Sequence, residues 1–340
     1  MGKFITFGEI MLRLSPMGYE RFIQSKEFNV LFAGGEANVA ASLSNYGLDT
    51  YYVTKLPTHE IGQAAVNELR RVGIKTDYVV RGGDRIGIYF CEKGASQRAS
   101  KVIYDRAHSA IADARREDFD WKKIFEGAEW FHFTGITPAL SDECAEITLD
   151  ALKAAKEAGI TVSVDLNYRK KLWSTEKAGK VMAELVKYCD VVVANEEDAE
   201  KVFGIKASES DVTEGKLCDA GYKKVAKELY DRFGLKYVAI TLRESYSASD
   251  NGWSGMLFDG KNYYKSKKYD IHIVDRVGGG DSFGGGLIYG LASGMDNQSA
   301  LEFAVAASCL KHTVEGDFNA MSIEEVKALM KGDASGRVQR

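Results

Sequence analysis

Asp275-Arg276-Val277-Gly278-Gly279-Gly280-Asp281 is the stretch of this chain best suited to chemistry. Three consecutive glycines leave backbone N–H groups available to an anion, and the strand-like run Asp270-Ile-His-Ile-Val274 leads into them. A helix should follow, so the glycines fall at a strand-to-helix turn. There, unsatisfied N–H groups and the positive end of the helix dipole favour a phosphate. A carboxylate beside such a cradle is electrostatically unfavourable unless it handles a proton. Asp281 is therefore a candidate general base for a hydroxyl attacking a phosphoryl group. The alternative is a plain N-terminal helix cap, a role that aspartate fills well.

Gly284-Gly285-Gly286 then sit inside the helix, each at a cost of about 1 kcal/mol relative to alanine. Such a triplet implies close approach by another helix or by a ligand. Ser299-Ala-Leu-Glu302 reads as a capping box opening a second helix to about His312. Its Ala300, Ala304 and Ala307 share one side and can pack on the triplet, with Ala307 also a candidate nucleotide contact. A further glycine pair occurs in Ala33-Gly34-Gly35-Glu36-Ala37-Asn38, at the start of a helix ending near Gly47. It lets backbone approach a small polar ligand, and Asn38 offers both a donor and an acceptor. This pattern is neither a Walker A loop nor a dinucleotide fingerprint.

These residues need a scaffold, and one junction recurs in it: an amphipathic segment, a glycine, an aliphatic residue and a β-rich run. It appears at Gly47-Leu48, Gly73-Ile74, Gly159-Ile160 and Gly234-Leu235, each predicting a left-handed helix end. Strands are predicted over Phe4–Gly8, Tyr51–Lys55, Trp130–Thr134, Thr161–Asn167, Asp190–Asn195 and Tyr237–Leu242. Their nearly continuous apolar character suits a mainly parallel sheet covered by helices on both faces. Residues 10–32 and about 80–107 break the rhythm and read as a small β-structure covering a site, the alternative being ordinary edge hairpins. Residues 206–222 read as a polar surface insertion. One domain over 1–330 and a frayed tail over 331–340 are expected.

Composition narrows the partners. At 340 residues, 45% hydrophobic, with a net charge of −4 and no basic runs, the chain suits neither nucleic acid nor an anionic membrane surface. Five scattered cysteines lack metal-ligand spacing and suggest reduced thiols in the cytoplasm. No signal-peptide core is present at the N-terminus and no apolar run reaches bilayer length. The five histidines show no paired ligand spacing, and none is assigned to catalysis.

Taken together, the two glycine motifs resemble the signatures of the ribokinase-like (phosphofructokinase-B) carbohydrate kinases over about residues 3–330. The C-terminal signature of that family reads D-T-x-G-A-G-D, and Asp275–Asp281 is similar to it. The resemblance implies a three-layer α/β/α domain with a small β-sheet lid, Asp281 as catalytic base and Gly278–Gly280 as anion hole. It further implies ATP with Mg²⁺, and K⁺ as a possible third cofactor. Asn195-Glu-Glu-Asp198 resembles the family's N-x-x-E motif, with Asp for Glu, which places Asn195 near the nucleotide phosphates and Asp198 near Mg²⁺ through water. Thr241 and Arg243 match the strand end that approaches the nucleotide.

Within this family the chain looks most like kinases of 2-keto-3-deoxygluconate, on Gly8–Pro16, Tyr89, Tyr104-Asp-Arg106 and Asp165-Leu-Asn167-Tyr-Arg169. For a sugar acid, Arg106 and Arg169 are expected to fork onto the carboxylate, and Tyr89 and Tyr104 to pack on the carbon chain. Gly34, Gly35, Asn38 and Asn167 complete the expected sugar side. Fructose, 5-keto-2-deoxygluconate and a nucleoside stand as alternative substrates, and a non-catalytic sugar-binding homologue as an alternative class. Exposed lid edges suggest a homodimer that pairs two lids. Four departures stand out: Arg13 where many members carry Asp, Arg276 in place of Thr, Arg243-Glu244 in place of glycine, and Lys55-Leu-Pro-Thr-His-Glu-Ile-Gly62 in place of V-G-x-D-x-x-G.

Overall fold

The computed structural model describes residues 2–206 and 219–332. In chain order its strands are β1 (Lys3–Phe7), β2 (Met11–Pro16), β3 (Phe28–Ala33), β4 (Thr50–Leu56), β5 (Val79–Arg81), β6 (Ile88–Glu92) and β7 (Lys101–Asp105). Then follow β8 (Ala128–Thr134), β9 (Thr161–Asp165), β10 (Val191–Ala194), β11 (Tyr237–Ser245), β12 (Asp250–Phe258), β13 (Tyr263–Lys265) and β14 (Tyr269–His272). The helices are α1 (Gly35–Asn45), α2 (Glu60–Arg71), α3 (Trp121–Ile124), α4 (Asp142–Glu157) and α5 (Thr175–Leu185). They continue with α6 (Glu196–Phe203), α7 (Asp219–Phe233), α8 (Gly279–Ala292), α9 (Asn297–Lys311) and α10 (Ile323–Met330).

The main sheet runs β13-β12-β11-β10-β9-β8-β1-β4-β5, with β14 also paired to β12. From β11 to β5 every neighbouring pair is parallel, while β12 turns back antiparallel on β11. The apolar runs explain the layering. Val191 and Val193 of β10 join a core with α1, α8, α9 and α10, whereas Val192 and Ala194 join one with α3 to α7. Alternate residues thus feed two faces, as the pleat requires. The helix-ending glycines are left-handed as expected: Gly47, Gly73, Gly159 and Gly234 have φ of +81°, +79°, +68° and +67°.

A second sheet, β3-β2-β6-β7, stands apart as the lid. It comes from the two segments expected to form it, with one correction. Val79–Arg81 pairs in parallel with β4 and extends the edge of the main sheet. Residues 207–218 of the expected insertion lie outside the described residues, while 219–222 form the first turn of α7. Of the expected tail, Lys331 and Gly332 turn after α10, and the rest also lies outside.

Helix α9 starts two residues before the expected capping box. Asp296 is its cap, accepting from Ser299 N at 3.0 Å, because an aspartate just ahead satisfies the same donors. The glycine triplet is a helix-packing device. A Cβ on Gly285 would lie 2.6 Å from the Ser42 Cβ of α1, and one on Gly286 would lie 2.9 Å from the Ala304 Cα of α9. Ala307 is fully buried in that seam, 3.4 Å from a Cβ built on Gly286. It does not reach the cavity described below, which corrects its assignment to the nucleotide.

Candidate active site

The strand-to-helix turn ends with Gly278, whose φ of +83° selects glycine, and a Cβ there would meet the Asp317 carbonyl oxygen at 2.0 Å. Gly278 is also the N-cap of α8 and offers no side-chain bond to it, so the cap leaves first-turn N–H groups open. Asp281 lies three residues inside the cap position and is not the cap. Its Oδ2 instead accepts from Asn38 Nδ2 at 2.7 Å. Burial raises the Asp281 pKa to about 6; Asn38 and Arg169 oppose the shift, while buried Glu36 and Asp317 add to it. A base tuned towards neutrality is what proton abstraction near pH 7 needs. Gly278, Gly280 and Asp281 line one cavity of about 420 Å³. Gly279 does not: its N–H donates to Arg276 O at 3.3 Å and its Cα faces His312, so two glycines of the expected three face the cavity.

The residues expected on the sugar side converge on the same cavity. Gly34, Gly35, Asn38, Tyr89, Tyr104, Arg106, Asn167 and Arg169 all line it. A Cβ on Gly35 would sit 3.7 Å from Asp281 Oδ1 and 3.9 Å from Asn167 Nδ2, so a ligand atom there sees the base directly. Asn167 adopts φ +39°, an uncommon backbone for a non-glycine, held by its N–H donating to Asp165 Oδ1 at 3.1 Å.

The two expected carboxylate arginines differ. Arg106 is buried and its Nε donates to Glu9 Oε2 at 2.8 Å, with Nη2 on the same oxygen. Its charge is therefore largely matched within the protein. Arg169 is exposed and, among the described residues, its side chain donates to the Tyr168 carbonyl at 3.1 Å and forms no ion pair, though its charge acts on Asp165, Asp198 and Asp281. Tyr89 is likewise committed, its hydroxyl donating to Asp317 at 2.5 Å, which leaves its ring as the ligand surface. Tyr104 is 37% exposed and stands 6.0 Å from Tyr89, ring centre to ring centre.

Asn195, Asp198, Thr241 and Arg243 line the other part of the cavity. Asn195 caps α6 by accepting from Asp198 N at 2.8 Å, and Asp198 Oδ1 accepts from Tyr168 N at 3.0 Å. The motif thus braces the loop that carries Asn167 and Arg169. Burial pushes Asp198 up to about 6, against the backbone N–H of Tyr168 and the charge of Arg169. Burial, then Asp198 and Asp281, hold Asp165 well above the usual carboxylate range. This concentration of negative charge suits a divalent cation. Yet among the described residues no group of three or more His, Cys, Asp or Glu is poised to ligate one. A Mg²⁺ ion fits only if phosphate oxygens and water supply most of its shell.

Sequence reasoning missed Glu9, Glu36, Asp317 and His312. Glu36 offered a signal, as a lone charge in the otherwise small, apolar start of α1; it accepts from the Thr134 and Thr137 hydroxyls at 2.7 and 2.6 Å. Asp317 follows α9 in a polar loop that reads like any surface turn.

The pfkB family carbohydrate kinase model matches residues 1–323. A crystal structure of 2-dehydro-3-deoxygluconokinase from Thermotoga maritima superposes with a TM-score of 0.94 at 57% identity, covering 97% of this chain and 98% of that one. The 2-dehydro-3-deoxygalactonokinase of Haloferax volcanii is 34% identical over 335 residues, 98% of either chain. The 2-dehydro-3-deoxygluconokinase of Bacillus subtilis is 26% identical, covering 94% of this chain and 93% of the relative. The family match spans nearly the whole chain, and the glycine turn, the buried aspartate and the lid meet in one cavity: this protein belongs to the pfkB family of carbohydrate kinases.

Proposed function

We propose that this kinase transfers the terminal phosphoryl group of ATP to the terminal hydroxyl of 2-keto-3-deoxygluconate. One observation carries the reading: Asp281, raised to about 6, lies in the same cavity as the exposed Arg169, which no carboxylate holds in a direct ion pair among the described residues. Arg169 takes the sugar carboxylate, and Arg106, held by Glu9, flanks it. Tyr104 and the Tyr89 ring pack on the carbon chain. Asp281 accepts the hydroxyl proton as the oxygen attacks the γ-phosphorus and the bond to the ADP oxygen breaks. The N–H groups around Gly278 and Gly280 face the charge that develops on the transferred group. Asn38 aims the base, while Asn195, Thr241 and Arg243 belong to the nucleotide side. Mg²⁺ neutralises the donor phosphates when bound, with Asp198 reaching it through water.

Potassium does not fit beside the turn. Arg13 occupies the carboxylates of both Asp275 and Asp317, and Lys311 Nζ donates to the Asp275 carbonyl at 3.1 Å. Protein cations already fill that place.

Val30 and Ile103, 60% and 45% exposed, lie on the outer strands β3 and β7 of the lid, which supports a homodimer that pairs lids. Buried, unpaired Cys91, Cys144, Cys189 and Cys309 support a reducing, cytoplasmic setting; among the described residues no helix is long and apolar enough to cross a membrane.

A substrate panel coupled to ADP release tests the assignment, with 2-keto-3-deoxygluconate, its C4 epimer, fructose, 5-keto-2-deoxygluconate and a nucleoside. The sugar acid should have the highest kcat/KM. Faster turnover of neutral fructose would overturn the substrate, and no ADP release with any of them would overturn the reaction.

A further inference from the structure

Two arginines in the cavity are left unused by proton transfer and sugar binding. Arg243 projects from β11 in direct register with Trp253 of β12, and Arg276 follows Asp275 at the entry to the glycine turn. Among the described residues neither forms an ion pair. The Arg276 side chain makes one hydrogen bond among the described residues, Nη2 to the Ala248 carbonyl at 3.2 Å, and its Nε is buried with no acceptor. The Trp253 indole Nε1 is buried without an acceptor as well. Leaving one buried donor unmet costs about 1–3 kcal/mol.

The surroundings sharpen the asymmetry. Burial lowers the Arg276 pKa, and Arg243 lowers it further, so the two guanidinium groups repel across the space between them. Burial pushes neighbouring His312 down to about 4, with Lys311, Arg276 and Arg243 adding to the shift, so its ring stays neutral. Two repelling cations, unmet donors and a neutral polar wall of Thr241, Asn251 and His312 lack one thing, an anion with several oxygens. The sugar acid already has Arg169. The anion left in this reaction is the polyphosphate of the donor.

We propose that Arg276 and Arg243 form a two-guanidinium clamp on the donor phosphates. Arg276 is two residues from Gly278, so the clamp is built on the same turn whose N–H groups face the transferred phosphoryl group. Forked, charge-assisted bonds from Arg276 meet the phosphate oxygens, and the phosphates in turn relieve the repulsion between the arginines. The inference rests on ATP as donor but not on which sugar accepts.

Calorimetric titration of a non-hydrolysable ATP analogue with Mg²⁺, of AMP and of the sugar acid, into native, Arg276→Ala, Arg276→Lys and Arg243→Ala proteins, tests the clamp. Arg276→Ala should weaken the triphosphate analogue by about tenfold to a hundredfold, leaving AMP and sugar affinities unchanged. Arg276→Lys should recover part of the loss, through charge without the fork. Should Arg276→Ala fail to fold, the exposed Arg243→Ala gives the same selective readout. Unchanged triphosphate affinity would overturn the clamp, as would an equal loss for AMP. A failed sugar panel, with the triphosphate effect intact, would indict the substrate assignment and spare the clamp.

Discussion

Two arginine pairings on this turn have opposite fates. Arg13, 1% exposed, is sealed: Nη2 lies 2.8 Å from Asp275, Nη1 bonds Asp317, and Nε donates to Ser15 at 2.9 Å. Burial works against its charge, but Asp317 and Asp275 outweigh that and raise its pKa. Arg276, the next residue after Asp275, is open, with an orphan Nε and a like-charged neighbour. The difference teaches how one turn divides its labour. A cation whose partners are all internal fixes geometry, since Arg13 ties lid strand β2 to the loop whose carbonyl abuts Gly278. A cation left without a counter-charge is open to an anionic ligand.

The comparison can be broken by substitution. Arg13→Leu strands two buried carboxylates and should lower the unfolding free energy by about 3–5 kcal/mol, read from chemical denaturation. A loss no larger than that of a surface substitution would mean that the sealed cluster does not hold the turn. In the same assay Arg276→Ala should lie within about 0.5 kcal/mol of native or above it, because it removes a repelling charge. Marked destabilisation there would move Arg276 into the structural class. The smallest effect concerns potassium. Since Arg13 and Lys311 occupy the place beside the turn, replacing K⁺ with tetramethylammonium should leave the rate unchanged, and a requirement for K⁺ would show that these cations do not substitute for it.

What could be read beforehand follows the range of the interactions. The βα rhythm was legible because helix-ending glycines and continuous valine runs are local signals, and the lid because it interrupts them. Asp281 was legible as a candidate, but its bond to Asn38, 243 residues away in sequence, was not. Arg106 and Arg169 looked equivalent until Glu9 claimed one of them. Ala307 was misplaced because small residues at helical spacing serve a helix seam and a ligand surface equally well. Asp317 escaped notice since its partners, Arg13 and Tyr89, come from the distant lid.

The proton acceptor is the centre of the account, and kcat/KM against pH for the native enzyme and Asp281→Asn tests it most directly. The Asp281 pKa is raised, so the carboxylate protonates as pH falls through about 6 and the native rate should fall with it. In Asp281→Asn that acid limb should vanish and the rate should drop by about a hundredfold or more, while calorimetry still detects sugar binding. A variant that keeps the native rate and its acid limb would contradict the mechanism.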